Sequence, residues 1–318
     1  MGRGGAAVVG LLFPGQGAQF AGMGRELAAA FPAARATFQE ADEVLGFRLS
    51  ALCWEGPEEE LVATRNAQPA ILVHSVAVLR VIGGQCGPVA VAAGHSLGEF
   101  TAWVAAGTLA FADAVRTVRL RGELMQRSGD ARPGTMAAVL GLDDEVLERV
   151  CAEASLAGGE CVPANYNSPG QMVISGDVAT VERAMELARA NGARRVVRLN
   201  VSGAFHSPLM RVAQAGLQER LRSLPFAPPR FPVVSNVTAE AISDVVAARA
   251  LLVRQLTSPV RWTASMRTML DAGVGRFLEL GPGTVLTGLL KRIERSARAV
   301  ALGTPADIEA LTVGGQQA

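Results

Sequence analysis

Ser96 sits in the middle of Gly94-His95-Ser96-Leu97-Gly98, directly after the apolar run Val89–Ala93 and before a helical stretch. Glycines two residues either side of a serine, between a strand and a helix, suit a sharp turn that lifts the hydroxyl clear of the sheet. The next amide, Leu97 N–H, falls at the helix start, where it can donate to a developing oxyanion. An alcohol is a weak nucleophile and needs a base. The chain holds three histidines, His74, His95 and His206. His74 lies in an apolar helical stretch and reads as a core or surface histidine. His95 adjoins the serine, and neighbouring side chains diverge at such a turn. Elimination leaves His206, in Val-Ser-Gly-Ala-Phe-His-Ser-Pro-Leu-Met, after a strand and before a helix. The bland alternative is a histidine at a helix start with no chemistry.

Three further features invite chemistry. Phe13-Pro14-Gly15-Gln16-Gly17 follows the first strand; it is either a plain turn or the source of a second oxyanion donor. In Phe111–Ser128 a helical wheel puts Arg116, Arg119 and Arg127 on a polar side, whereas Arg121 falls among Ala114, Val118 and Met125. A buried unpaired charge is costly, so Arg121 needs a partner, either a carboxylate of the protein or one carried by a ligand. Gly281-Pro282-Gly283-Thr284 precedes a helix but lacks the lysine and spacing of a phosphate loop, so a structural turn is the preferred reading.

The elements that must position these residues follow from periodicity. Val8–Phe13 and Val89–Ala93 are continuous apolar runs separated by helical patterns near Gly24–Ala30, Pro32–Leu45 and Gln68–Ile82, the last with Pro69 in its first turn. Such strands imply a parallel sheet covered on both faces. The middle changes rhythm: strand 135–141, helix 143–157, strands 160–167 and 171–177 joined by Ser-Pro-Gly, helix 178–192 and strand 194–200. That βαββαβ order is the ferredoxin-like unit. We expect an inserted small domain over 132–200 in a larger α/β-hydrolase-like domain built from 1–131 and 201–318. Ser207–Leu224 reads as a helix, Phe231–Asn236 as a strand, and Arg276–Leu280 as a strand leading through the Gly-Pro-Gly turn to a helix.

Composition sets the class. The 318 residues are 49% apolar and 19% charged, with a net charge of +1, which suits a globular protein and gives no field for nucleic acid or an anionic membrane. Of the 30 basic residues only Lys291 is lysine, which we read first as genomic bias. Four cysteines without a C-x-x-C pair and three histidines argue against a zinc site and for a reduced, cytoplasmic protein. No apolar run approaches the roughly 20 residues of a membrane span. The start, Met1–Phe13, weighs as a leader, but a first buried strand is the better reading. Only the tail, Thr312–Ala318, is expected to be disordered.

Together the stretches FPGQGAQ, GHSLGEF, RLRGELMQ, NYNSPGQ, SGAFHSPLM, QLTSPVRW and FLELGPG, in this order from about Val8 to Arg292, resemble the malonyl-CoA:acyl carrier protein transacylases and the related acyltransferase domains of polyketide synthases. The resemblance implies an acylated Ser96 with His206 as base. It implies an oxyanion hole from the amides of Gln16 and Leu97, and Arg121 on the free carboxylate of malonate. The main-chain carbonyl of Gln255 would orient the histidine, with no third acid. Met125 and Phe205 would wall the pocket and Asn167 would touch coenzyme A. Leu97 and Phe205 are malonyl-type choices, Phe205 leaving less room for an α-methyl. No bound cofactor or metal is implied; the substrate is malonyl-CoA and the partner an acyl carrier protein. Arg194, Arg195 and Lys291–Arg292 are possible contacts for an acidic carrier, or simply solvated charge. A monomer is the default. The rival readings are a serine thioesterase or proofreading acyl hydrolase, which has no use for Arg121, and a non-catalytic docking module, against which Ser96, His206 and Arg121 speak.

Overall fold

The computed structural model describes residues 8–314; the first seven residues and most of the expected disordered tail lie outside them. Two sheets form. The larger is ordered β10-β9-β1-β2-β7-β8, from β1 (Val9–Phe13), β2 (Val89–Gly94), β7 (Val233–Val234), β8 (Ala241–Ile242), β9 (Arg276–Leu280) and β10 (Arg298–Leu302). All its pairings are parallel except the short β7–β8 hairpin. β1 is buried at all five positions, as expected of a strand covered on both faces. Because β9, β1, β2 and β7 are parallel neighbours, their carboxyl ends open on one edge, the usual place for a ligand in such sheets. Pro14–Gly17 leaves β1 there, Gly94–Gly98 leaves β2, Ser235–Asn236 leaves β7 and Gly281–Thr284 leaves β9.

The smaller sheet is antiparallel, ordered β4-β5-β3-β6, from β3 (Gly134–Leu140), β4 (Cys161–Ser168), β5 (Gln171–Asp177) and β6 (Arg195–Arg198). With the helices Asp144–Leu156 and Val178–Ala190 it gives the expected βαββαβ order. The period of two splits β3 between two cores: Ala137 and Val139 face Leu147, Val150 and Ala184, while Met136 joins the core of the larger sheet. β4 is also stitched to the larger part, with Tyr166 N–H donating to Val260 O at 2.9 Å and Val260 N–H to Ala164 O at 2.8 Å. The cavity described below therefore lies where the two sheets meet.

Several local expectations need correction. The helix read from Gln68 begins at Thr64 and runs to Ile82, so Pro69 lies inside it. The missing Pro69 N–H frees Arg65 O, four residues back, which instead accepts from Arg119 Nη1 at 3.3 Å. The same helix with its following turn is long and apolar enough to cross a membrane by length and composition. This corrects the expectation that no apolar run approaches that length; Gln68, His74 and Arg80 interrupt the stretch without lowering its mean hydropathy enough to disqualify it. Here most of the helix is packed inside the fold. Ser207–Leu224 is a 3₁₀ turn, Pro208–Met210, followed by the helix Arg211–Arg222. Only Val233–Val234 of the expected strand pairs.

Candidate active site

Steric necessity shapes the turn after β2. A Cβ on Gly94 would lie 1.9 Å from the backbone of Gly98, and one on Gly98 would lie 2.1 Å from Phe13 O. Gly15 is held as tightly: its Cβ would meet His95 O at 2.4 Å. Three glycines thus let the turns after β1 and β2 nest against each other. Ser96 sits at φ 51° and His206 at φ 57°, a left-handed region that few non-glycine residues occupy. Something must hold such residues there.

For Ser96 the clasp is visible. Its N–H donates to Asn236 Oδ1 at 2.7 Å, and Asn236 Nδ2 donates to Gly94 O at 2.7 Å. Its carbonyl accepts from Gln255 Nε2 at 2.9 Å. Ser96 Oγ then lies 2.8 Å from His206 Nε2. His206 Nδ1 is 2.9 Å from Gln255 O and 3.2 Å from Ser258 O. Both are acceptors, so Nδ1 carries the proton and Nε2 offers a lone pair to the serine O–H. Burial, and next the charge of Arg121, pull the His206 pKa down to about 3. The imidazole is therefore neutral at pH 7 and able to take a proton.

Arg121 falls on the buried side of the helix Phe111–Ala131, beside Ala114, Val118 and Met125. Its Nη2 donates to Ser96 Oγ at 3.2 Å and to Gln255 Oε1 at 2.9 Å; Nη1 donates to Gln68 Oε1 at 2.7 Å. Among the described residues no carboxylate is in salt-bridge contact with it, and its buried Nε has no acceptor. Neutral amides hold the guanidinium, and burial draws its pKa down to about 10 against the opposing charge of Glu99, which lies beyond Gln255. A buried cation held beside a nucleophile-and-base pair suits an incoming carboxylate.

These groups open on a cavity of about 470 Å³ lined by Gln16, Ser96, Leu97, Arg121, Met125, Phe205 and His206, among others. Gln16 and Leu97 reach its wall, and among the described residues neither main-chain N–H has a protein acceptor. Asn167 is placed differently: it lines an adjoining cavity of about 240 Å³, which shares Gln16, His95 and Asn165 with the first. Its Oδ1 sits 2.8 Å from Nε2 of His95, a half-buried ring tilted against Trp262 with centroids 5.4 Å apart. His74 is a core histidine, its Nε2 2.9 Å from Gly303 O. Arg194, Arg195, Lys291 and Arg292 are exposed, and Arg292 donates to Gln171 Oε1 on the rim of the adjoining cavity.

The residues that complete the site and escape a sequence reading are Gln68, Glu99, Asn236 and the side chain of Gln255. Each is a polar residue buried in an otherwise apolar setting. Asn236 lies two residues past a buried strand that runs to the same sheet edge, the one signal that could have marked it.

A family model described as an acyl transferase domain matches residues 11–312. A malonyl CoA-acyl carrier protein transacylase of Bacillus subtilis is 47% identical over 301 residues, covering 95% of each chain. The Escherichia coli K12 protein of the same description is 46% identical, covering 94% of this chain and 97% of its own. Among solved structures, a malonyl-CoA:acyl carrier protein transacylase of Xanthomonas oryzae superposes with a TM-score of 0.92 at 48% identity, covering 96% and 98%. A malonyl-transacylase solved in complex with a type II polyketide synthase acyl-carrier protein gives 0.93 at 44% identity, covering 97% and 100%.

Proposed function

The chain belongs to the acyl transferase domain family, and on that premise we propose that it moves a malonyl group from malonyl-CoA to the phosphopantetheine thiol of an acyl carrier protein, through malonyl-Ser96. The observation that carries this reading is Arg121, a buried guanidinium 3.2 Å from Ser96 Oγ with amide partners and, among the described residues, no carboxylate in salt-bridge contact. Such a group discriminates for an acyl chain that ends in its own carboxylate.

The steps follow from the hydrogen bonds. His206 Nε2 takes the Ser96 Oγ proton as Oγ attacks the thioester carbon. The negative charge passes to the carbonyl oxygen, which the free N–H groups of Gln16 and Leu97 are suited to receive. The C–S bond then breaks and the coenzyme A sulfur leaves with the proton from Nε2. In the second half a pantetheine thiol gives its proton to Nε2 and attacks malonyl-Ser96, and Ser96 recovers its proton as the C–O bond breaks. This is ping-pong covalent catalysis, with Arg121 holding the substrate carboxylate throughout. The reading takes 132–200 as a small domain that roofs a site built on 1–131 and 201–318, and uses no resident metal or cofactor.

The test incubates the protein with malonyl-CoA or acetyl-CoA, follows the intact mass, and then adds holo acyl carrier proteins. A malonyl adduct on Ser96 that passes to a carrier thiol is expected. Arg121→Ala keeps some acylation but loses the malonyl preference. An adduct released only to water supports an acyl hydrolase, and an unchanged preference in the variant removes Arg121 from the substrate.

A further inference from the structure

Gln255 touches every part of the constellation at once. Its carbonyl meets His206 Nδ1, its Oε1 accepts from Arg121, and its Nε2 donates to Ser96 O. Arg121 can only donate and Ser96 O can only accept, so the amide must turn Oε1 to the guanidinium, and a second acceptor, Glu99, holds it in that orientation. Its Oε2 accepts from Gln255 Nε2 at 2.7 Å and from the Asn236 main-chain N–H at 3.1 Å. Asn236 is the residue that holds the N–H of Ser96. One buried oxygen thus anchors both halves of the clasp on Ser96, and through Gln255 it aims the guanidinium.

We propose that Glu99 is a positioning residue: its carboxylate oxygen fixes Gln255 and Asn236, and through them the strained stance of Ser96 and the direction of Arg121. Glu99 is buried, and burial outweighs the hydrogen bonds to lift its pKa to about 7. Oε2 can serve as the anchor in either protonation state, because a proton on Oε1 leaves Oε2 free to accept. The inference rests on the proposed malonyl transfer only in its readout.

The test uses the full-length chain in three forms. Glu99→Met removes the acceptor at similar length, and Glu99→Gln keeps one acceptor oxygen on the same stem. Rates of Ser96 acylation by malonyl-CoA and acetyl-CoA are read by intact mass, with a thermal melt on each form. The Met variant loses roughly 100-fold in malonyl rate, the scale of a misplaced reacting group, and its malonyl-over-acetyl ratio falls by about tenfold or more, the cost of a misdirected guanidinium fork. The Gln variant keeps the ratio near that of the wild type. A loss shared equally by both acyl groups, with the ratio unchanged, means a merely structural role and overturns the proposal. So does an equal loss of ratio in both variants, which would assign the effect to charge. If the Met variant does not fold, Glu99→Asp, which withdraws the oxygen by one methylene, is read by the same ratio. Failure of the wild type to take up malonyl overturns the transacylase reading instead, and it shows before any variant is compared.

Discussion

Two turns at the same sheet edge share one local grammar. After β2 the chain runs Gly94-His95-Ser96-Leu97-Gly98 into a helix; after β9 it runs Gly281-Pro282-Gly283-Thr284 into a helix. At the second turn the protein fills its own helix start. Glu279, buried on β9, accepts from Leu286 N–H at 2.9 Å and Thr287 N–H at 2.7 Å. At the first turn the acid on hand, Glu99, lies in the first turn of the helix but faces toward Gln255 and Asn236, while among the described residues Leu97 N–H has no protein acceptor. Strand, glycine turn and helix therefore do not make a site. What matters is whether the helix start is already occupied by the protein's own anion. The same occupancy rules out a phosphate cradle in the second turn.

The sharpest break of the comparison is steric. Ala at 98 would press its Cβ within 2.1 Å of Phe13 O, backbone that cannot yield without separating β1 from β2. Gly283 has nothing within 4 Å, and only its φ of 79° resists a side chain. Gly98→Ala is expected to cut acylation of Ser96 by 100-fold or more, on the order expected when reacting groups are misplaced. Gly283→Ala costs about 1 kcal/mol and leaves acylation alone. Intact-mass labelling beside a thermal melt reads both, and equal labelling in the two variants would erase the distinction.

Next comes the carboxylate that separates them. Glu279→Leu leaves one buried and one partly buried N–H group at a helix start without acceptors, a loss of about 2–6 kcal/mol at 1–3 kcal/mol each. The expected result is a lower melting point with unchanged acylation and unchanged malonyl preference. A changed preference would mean that the turn after β9 belongs to the site.

How far the sequence discloses this contrast depends on range. The elbow, the arginine on the apolar side of its helix and the βαββαβ middle are patterns of spacing within one element or one short run, so periodicity and turn chemistry reach them. Elimination among three histidines reached His206. Asn236 and Gln255 lie 140 and 159 residues from Ser96 along the chain, and no local period connects them. Glu279 sits in an apolar strand and Glu99 in an apolar helix, so each looks like an exception until its partners are seen. β10 alternates exposed and half-buried positions at the sheet edge, too short a signal to separate from a loop. Pro69 misplaced a helix start because Pro is commonest in a first turn, and here Arg119 compensates inside the helix.

Acidity tests the elbow side alone. A histidine with pKa lowered to about 3 stays neutral, and usable as a base, well below the ordinary 6.5. The log of kcat/KM for malonyl-CoA should therefore show no fall centred near pH 6.5. The sign for stability runs the other way. His206 and His74, the latter lowered to about 4, take up protons in the unfolded chain as pH falls through 6.5 but not in the folded one. Folding stability thus declines from about pH 6.5 toward 4. Initial rates on samples that melt cooperatively separate the two effects. A clean limb at 6.5 in folded protein would mean that His206 is solvated and ordinary.

The smallest effect concerns a third turn, the one after β1, which on the proposed mechanism supplies the second oxyanion donor. Gln16 Nε2 donates to Thr64 Oγ1 at 3.1 Å, and Thr64 Oγ1 lies 3.1 Å from Ser202 Oγ, beyond the end of β6. Thr64 is buried at the start of its helix. Its hydroxyl therefore ties the loop that carries the Gln16 amide to the segment returning from the small sheet. Thr64→Val keeps the shape and removes both bonds. Each is worth about 1 kcal/mol net, so the melting point moves little. Letting the Gln16 amide drift from the developing oxyanion should cost no more than tenfold in kcat, roughly 1.4 kcal/mol of transition-state stabilisation. KM for malonyl-CoA should hold, because Arg121 is untouched. Thr64→Ser restores the hydroxyl and should restore kcat. If KM rises instead while kcat stays, the tether shapes the acyl pocket and not the oxyanion hole, and the turn after β1 would group with the passive turn after β9.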